Sequence, residues 1–186
     1  MAKTRKSTEV VTGVCTFSYL NCWEPKAING GAPKYSVSLI IPKSDTKTVA
    51  RIQAAIKAAY EEGQGTLKGN GRTVPEFSTI RNPLRDGDRE RPNDEAYSDS
   101  WFINANSNDR PGVVDINLQH IIERSEMYSG VKGRASVNFY AYNKNGNRGI
   151  GCGLHHLQKI SDGTPLGGKS RAEDDFATDD EEDFLN

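Results

Sequence analysis

The sequence predicts a mainly β domain with one α-helix, a long loop insertion and an acidic tail. Three observations carry that reading: strand-like runs near both ends of the ordered region, a single stretch of 3.6-residue periodicity, and a terminal run of acids. Of the 186 residues, 35% are hydrophobic, which suits one domain with a modest core and long polar loops better than a large compact enzyme.

The elements follow in order. Residues 1–7, "MAKTRKS", read as a flexible basic leader. "EVVTGVCTFSY", Glu9 to Tyr19, is rich in β-branched and aromatic residues and is predicted as the first strand. "YSVSLII", Tyr35 to Ile41, alternates and stops at Pro42, so Tyr35, Val37, Leu39 and Ile41 are expected to face the core. The period then changes: Val49, Ile52, Ile56 and Tyr60 form one stripe, which predicts a helix over about 46–62. Ser44 or Asp45 caps its start by accepting a backbone hydrogen bond, and Gly63 stops it.

Between 63 and 99 no period persists, and the stretch is expected to be a long loop rich in glycine, proline and charge. It is either a solvated mixed-charge loop or an arm that contacts a nucleic-acid backbone. "SWFINAN", Ser100 to Asn106, is a strand with Trp101, Ile103 and Ala105 on one face and Phe102, Asn104 and Asn106 on the other. "RPGVVDIN" reads as a turn and short strand, and "SEMYSG" as a bend.

"VNFYAYNKNGNRGIGCG" reads as a hairpin about a type I′ turn at Asn145-Gly146. That turn pairs Ala141 with Ile150, Phe139 with Cys152 and Val137 with Leu154, so apolar meets apolar. On the opposite face, predicted to be the solvent side, Tyr142 lies beside Gly149, Tyr140 beside Gly151 and Asn138 beside Gly153. Glycine inside a strand costs roughly 0.5–1 kcal/mol relative to alanine, so three need a reason. Either the tyrosines fold over bare backbone and shield it, or the missing side chains leave room for a nucleotide base to lie on the rings.

Charge favours the second. The fourteen residues from Glu173 hold eight acids and no base, leaving 24 basic and 17 acidic residues before them, a body of +7 against a tail of −8. A basic body with an acidic end suits a nucleic-acid binder with an interaction tail, and Phe176 and Phe184 among the acids suit partner contact better than simple solubilisation.

No chemistry of bond breaking emerges. There is no phosphate-binding glycine loop of the Walker type and no nucleophile elbow. Cys15, Cys22 and Cys152 form no CxxC pair, and His120, His155 and His156 lack metal-ligand spacing, so no metal and no cofactor are expected. Asp86 and Asp88 are a weak magnesium pair in a loop of mixed charge. No run approaches membrane-spanning length and the leader lacks an apolar segment, so the chain is expected to stay in the cytoplasm of the cell that makes it.

"PLRDGD", "FINANSNDRPGVVD", "YSG", "RASVNFYAYNKNGNRGIGCGL" and "QKISDGTPLGG", ending in an acidic tail, resemble a family of bacteriophage single-stranded DNA-binding proteins. The order of pieces is also similar to that of the helix-destabilising proteins of short-tailed coliphages. The resemblance spans Thr8 to the C-terminus and is most specific from Trp101 to Gly153. It implies an OB-fold-like small β-barrel over 8–165, a flexible tail over 166–186, and a non-enzymatic protein that coats single strands in phage replication or recombination. If phage-encoded, the protein would work in the host cytoplasm.

It further implies that the tail recruits replication or recombination proteins and competes with DNA; charge and the terminal aromatic nominate Asp179, Asp180, Glu181, Glu182, Asp183 and Phe184 for that role. Strand faces and charge, rather than the resemblance, nominate the DNA-contacting residues: Tyr140, Tyr142, Asn138 and Phe102 for bases, with Arg148, Lys144, Arg134, Lys132, Lys68, Arg72 and Arg85 for phosphates. Self-association is left open. The competing reading is a protein-interaction module that recruits replication proteins through the tail without touching DNA.

Overall fold

The computed structural model describes residues 3–27 and 30–166. Eight strands form one curled sheet: β1 (Glu9–Val11), β2 (Cys15–Lys26), β3 (Lys34–Pro42), β4 (Arg85–Asp86), β5 (Ser100–Ser107), β6 (Gly112–Val114), β7 (Lys132–Lys144) and β8 (Asn147–Ser161). Three helices accompany them: α1 (Thr46–Glu62), α2 (Gln64–Lys68) and α3 (Gly87–Glu90). None of the helices described is long and apolar enough to cross a membrane.

Backbone pairing runs in a ring. β2 bonds β3, β3 bonds β5, β5 meets β8, β8 bonds β7, and β7 returns to β2. This is the five-stranded, partly open arrangement of an OB-fold. The β5–β8 seam is a single parallel pair, Asn106 with Gly153, so the sheet stays open along most of that edge and is not a complete barrel. The segment before β5 bridges the seam from both sides: the Arg81 N–H donates to the Arg148 carbonyl (3.1 Å) and the Arg81 carbonyl accepts from the Ile150 N–H (3.0 Å) on β8, while β4 pairs with β5.

Alternation fills the inside of the curl. Val37, Leu39 and Ile41 from β3, Ile103 and Ala105 from β5, Val137 and Phe139 from β7, and Ile150, Cys152 and Leu154 from β8 are all buried in one core. Helix α1 adds Ile52, Ala55, Ile56 and Ala59, with Val49 and Tyr60 at the margin, so the predicted stripe faces that core. Asp45 caps it by accepting from the Thr48 N–H (3.1 Å) and the Thr48 hydroxyl (2.7 Å), and Gly63 closes it by donating to the Ala59 carbonyl (2.9 Å).

Three expectations are corrected. The predicted first strand breaks at Gly13, where a Cβ would come within 2.5 Å of the Asp45 carboxylate and 2.8 Å of the Thr48 hydroxyl. The chain bends there to sit against the capped helix end, then resumes as β2 and runs on to Lys26. The single predicted helix becomes three.

The 63–99 stretch is also no irregular loop. Local side-chain bonds, which leave no periodic trace, fold it in short pieces: Asn82 accepts from the Leu84 N–H, Asp86 from Asp88 and Asp94 from Ala96, each at 3.0–3.1 Å. Leu67 anchors one end in the main core, and Tyr97, fully buried, donates to the Ser38 hydroxyl (3.0 Å) at the other. Trp101 keeps the alternation with Ile103 and Ala105 but lies at the end of β5, where it is partly exposed, with the Lys43 ammonium 5.2 Å from its ring centre.

Candidate nucleic-acid interface

The hairpin register is the one that the turn chemistry predicts. Asn145 and Gly146 both have positive φ (54° and 84°), the backbone a type I′ turn requires. Tyr142 pairs with Gly149, Tyr140 with Gly151 and Asn138 with Gly153.

Both tyrosine rings lie over their glycines. A Cβ on Gly151 would meet Tyr140 Cζ at 2.7 Å, and one on Gly149 would meet the Tyr142 hydroxyl at 2.7 Å. Yet Tyr140 is still 42% exposed, so a flattened ring presents surface to solvent while covering backbone. The two explanations of the glycines are therefore compatible: absence of a Cβ lets the ring lie flat. Gly149 departs from the predicted solvent side and is buried, because Arg81 packs on it, with its Cβ 2.7 Å from where a Gly149 Cβ would stand.

The rings form part of an open cleft of about 670 Å³ along the β5–β8 seam. Tyr140, Tyr142 and Lys144 come from β7, Ile150, Gly151 and Cys152 from β8, Asn104 and Asn106 from β5, and Lys34 from the start of β3; Arg81, Asn82, Pro83, Arg85 and Glu90 close it from the folded 63–99 segment. Aromatic rings, side-chain amides and cations thus share one wall-to-wall concavity. Burial, then the proximity of Cys152 and Tyr142, raises the Tyr140 phenol above its ordinary pKa. Asn82, Arg85 and Glu90 also line a second hollow, about 480 Å³, that continues the cleft to Trp101.

Of the nominated residues, Tyr140, Tyr142, Lys144 and Arg85 come together here. The Arg85 charge is already met by Glu90, through contacts of 2.6–3.0 Å. The Arg148 side chain reaches from β8 to the turn after α2, its Nε buried without a partner among the described residues. Asn138 accepts from the Thr8 hydroxyl (2.7 Å). Lys132 donates to the Thr16 hydroxyl and Arg134 to the Thr12 carbonyl (3.0 Å), both toward the far end of β7. Lys68 and Arg72 are exposed beside α2 and line none of these hollows.

Phe102 is a correction. It points to the predicted outer face, but it is fully buried there under Tyr97, at a ring separation of 5.1 Å, with Ile40 alongside. The folded segment covers that half of the face, so Phe102 has no surface to offer a base. The six tail residues, Asp179 to Phe184, lie outside the described residues.

Sequence reasoning missed Lys34, Arg81, Asn82, Asn104 and Asn106. The two β5 asparagines were legible, since they alternate with the buried Ile103 and Ala105. Arg81 was not, because nothing local marks a residue that pairs with the edge of a distant strand. Asp86 and Asp88, the weighed magnesium pair, both hold Lys43 instead, at 2.8 and 2.7 Å. Among the described residues no three His, Cys, Asp or Glu side chains are grouped to hold a metal ion.

The family model of the Enterobacter phage Enc34 single-stranded DNA-binding protein matches residues 8–185. The chain belongs to that family. The protein p50 of Acyrthosiphon pisum secondary endosymbiont phage 1 is 33% identical over 174 residues, 88% of this chain and 91% of p50. Among solved structures, the Enc34 protein in complex with single-stranded DNA is similar with a TM-score of 0.68 at 24% identity, covering 89% of this chain and 97% of that one. The gp2.5 single-stranded DNA-binding protein of bacteriophage T7 is similar with a TM-score of 0.61 at 14% identity, covering 88% and 97%. At these identities the two structures speak for the fold, which is the phage family's OB-like one.

Proposed function

We propose that the protein binds single-stranded DNA without strong sequence preference and coats it during phage DNA replication or recombination in the host cytoplasm. The observation that carries this is the seam cleft, where Tyr140 and Tyr142 lie flat beside Lys34, Arg81 and Lys144. Bases stack on rings whatever their sequence, contributing about 1–3 kcal/mol each, whereas paired bases keep their faces occupied by their neighbours. Cations alongside neutralise phosphates and release counterions, so affinity falls steeply with salt. Family membership and the fold support the same reading.

The test is a fluorescence titration with oligothymidine and with duplex of equal length at two salt concentrations. Single strands should bind more tightly and lose affinity as salt rises; equal affinity for the two would overturn the reading. The acidic tail is proposed to recruit replication or recombination proteins and to compete as a tethered anion for the cleft. Truncation after Ala172 should then tighten DNA binding, and unchanged or weaker affinity would remove the competition.

A further inference from the structure

A third hollow, about 380 Å³, shares Tyr140 with the seam cleft and extends the groove past it. Its other walls include Lys6, Thr8, Glu62, Asn138 and His155. Tyr140 is thus the partition between two concavities, and the path from Trp101 through the tyrosines does not end at the hairpin.

Residues Lys6 to Thr8 are built into this hollow. The Glu9 N–H donates to the Lys6 carbonyl (3.0 Å) and the Lys6 N–H to the Glu9 carboxylate (3.2 Å), closing a turn. The Thr8 carbonyl accepts from the Phe139 N–H (2.9 Å), and the Ser7 hydroxyl donates to Glu62 (3.0 Å). Both carboxylates at the hollow are therefore engaged by the arm itself. The Lys6 side chain is exposed and has no acidic partner among the described residues, while Lys3 lies 4.0 Å from Glu9.

Resting on the reading of the seam cleft as a single-strand site, we infer that the amino-terminal arm forms an adjoining nucleotide subsite in which the Lys6 ammonium takes a DNA phosphate. Tyr140 then divides successive nucleotides, one against the seam and one against the arm. Pinning the arm to β7 and α1 holds the Lys6 backbone in place before DNA arrives, so less backbone freedom is lost on binding.

The experiment measures how log affinity for a long oligothymidine falls with log salt, in the full-length protein and in Lys6→Ala, Lys6→Arg and Lys57→Ala. Lys57 is exposed on α1 and lines none of the three hollows. Loss of one phosphate contact lowers the slope by about 0.7 for single strands, so the penalty of Lys6→Ala should shrink about two- to threefold between 50 and 200 mM salt. Lys6→Arg should restore the slope and Lys57→Ala should leave it at the wild-type value. An unchanged slope in Lys6→Ala overturns the subsite, as does an equal drop in Lys57→Ala, which would mean a diffuse field. Wild-type protein that fails to prefer single strands overturns the function proposed above instead.

Discussion

Tyr140 does two things, and one substitution series separates them. Its ring shields Gly151 and offers an exposed surface to the cleft. Tyr140→Phe retains both properties and should bind oligothymidine nearly as well as wild type. Tyr140→Leu still covers the glycine but has no aromatic face, and should lose about 1–3 kcal/mol of binding with little change in melting temperature. A fall in melting temperature with affinity intact would make the ring a backbone cover alone. The Tyr–Gly pairing was legible because turn type and apolar alternation agree on a single register. The burial of Gly149 was hidden, since Arg81, the residue that covers it, is remote in the chain and reaches it only through the seam.

Among elements, α1 was the easiest to read, because its stripe, cap and stop are all local. Asp45→Ala removes two bonds to Thr48 and should cost about 1 kcal/mol in urea denaturation. The 63–99 segment was the hardest, since it is folded by single contacts with distant partners. Hydrogen bonding from Lys43 holds the Asp86 and Asp88 carboxyls below the ordinary aspartate range, and the two carboxylates hold its ammonium above the ordinary lysine range. A carboxyl with a lowered folded pKa stabilises the fold above its unfolded pKa and loses that contribution as pH falls through the folded one. The lysine stabilises below its unfolded pKa and loses its contribution as pH rises through the raised folded value. The tether is therefore intact across neutral pH and fails toward both extremes. Amide protection over residues 85–99 should drop on acidification through the lowered aspartate values, and Lys43→Met should produce the same drop at neutral pH. Undiminished protection in that variant would leave Tyr97 as the anchor.

At the scale of the molecule, the ring of pairings follows from strand runs that the sequence displayed, and the resemblance supplied their order. What neither supplied was the weak point of the ring. Pairing across the seam depends on two strands lying parallel, and no hairpin turn marks such a meeting in the sequence. The cleft therefore lies where the sheet has fewest backbone bonds, with the folded 63–99 segment supplying one wall and the missing link.

Cys152 turns that seam into something that can be timed. It adjoins the single seam pair, only 3% of it is exposed, and burial raises its thiol far above the ordinary range, so it stays protonated and slow to alkylate while the strands are together. Modification of this one sulfur, followed by peptide mass against the buried Cys15 and Cys22, reports how often β5 and β8 part. Oligothymidine lying across the cleft should lengthen the half-life of the Cys152 thiol more than those of the other two. Equal protection of all three would mean that the reagent enters by global unfolding, and that bound DNA steadies the whole domain and not its open edge.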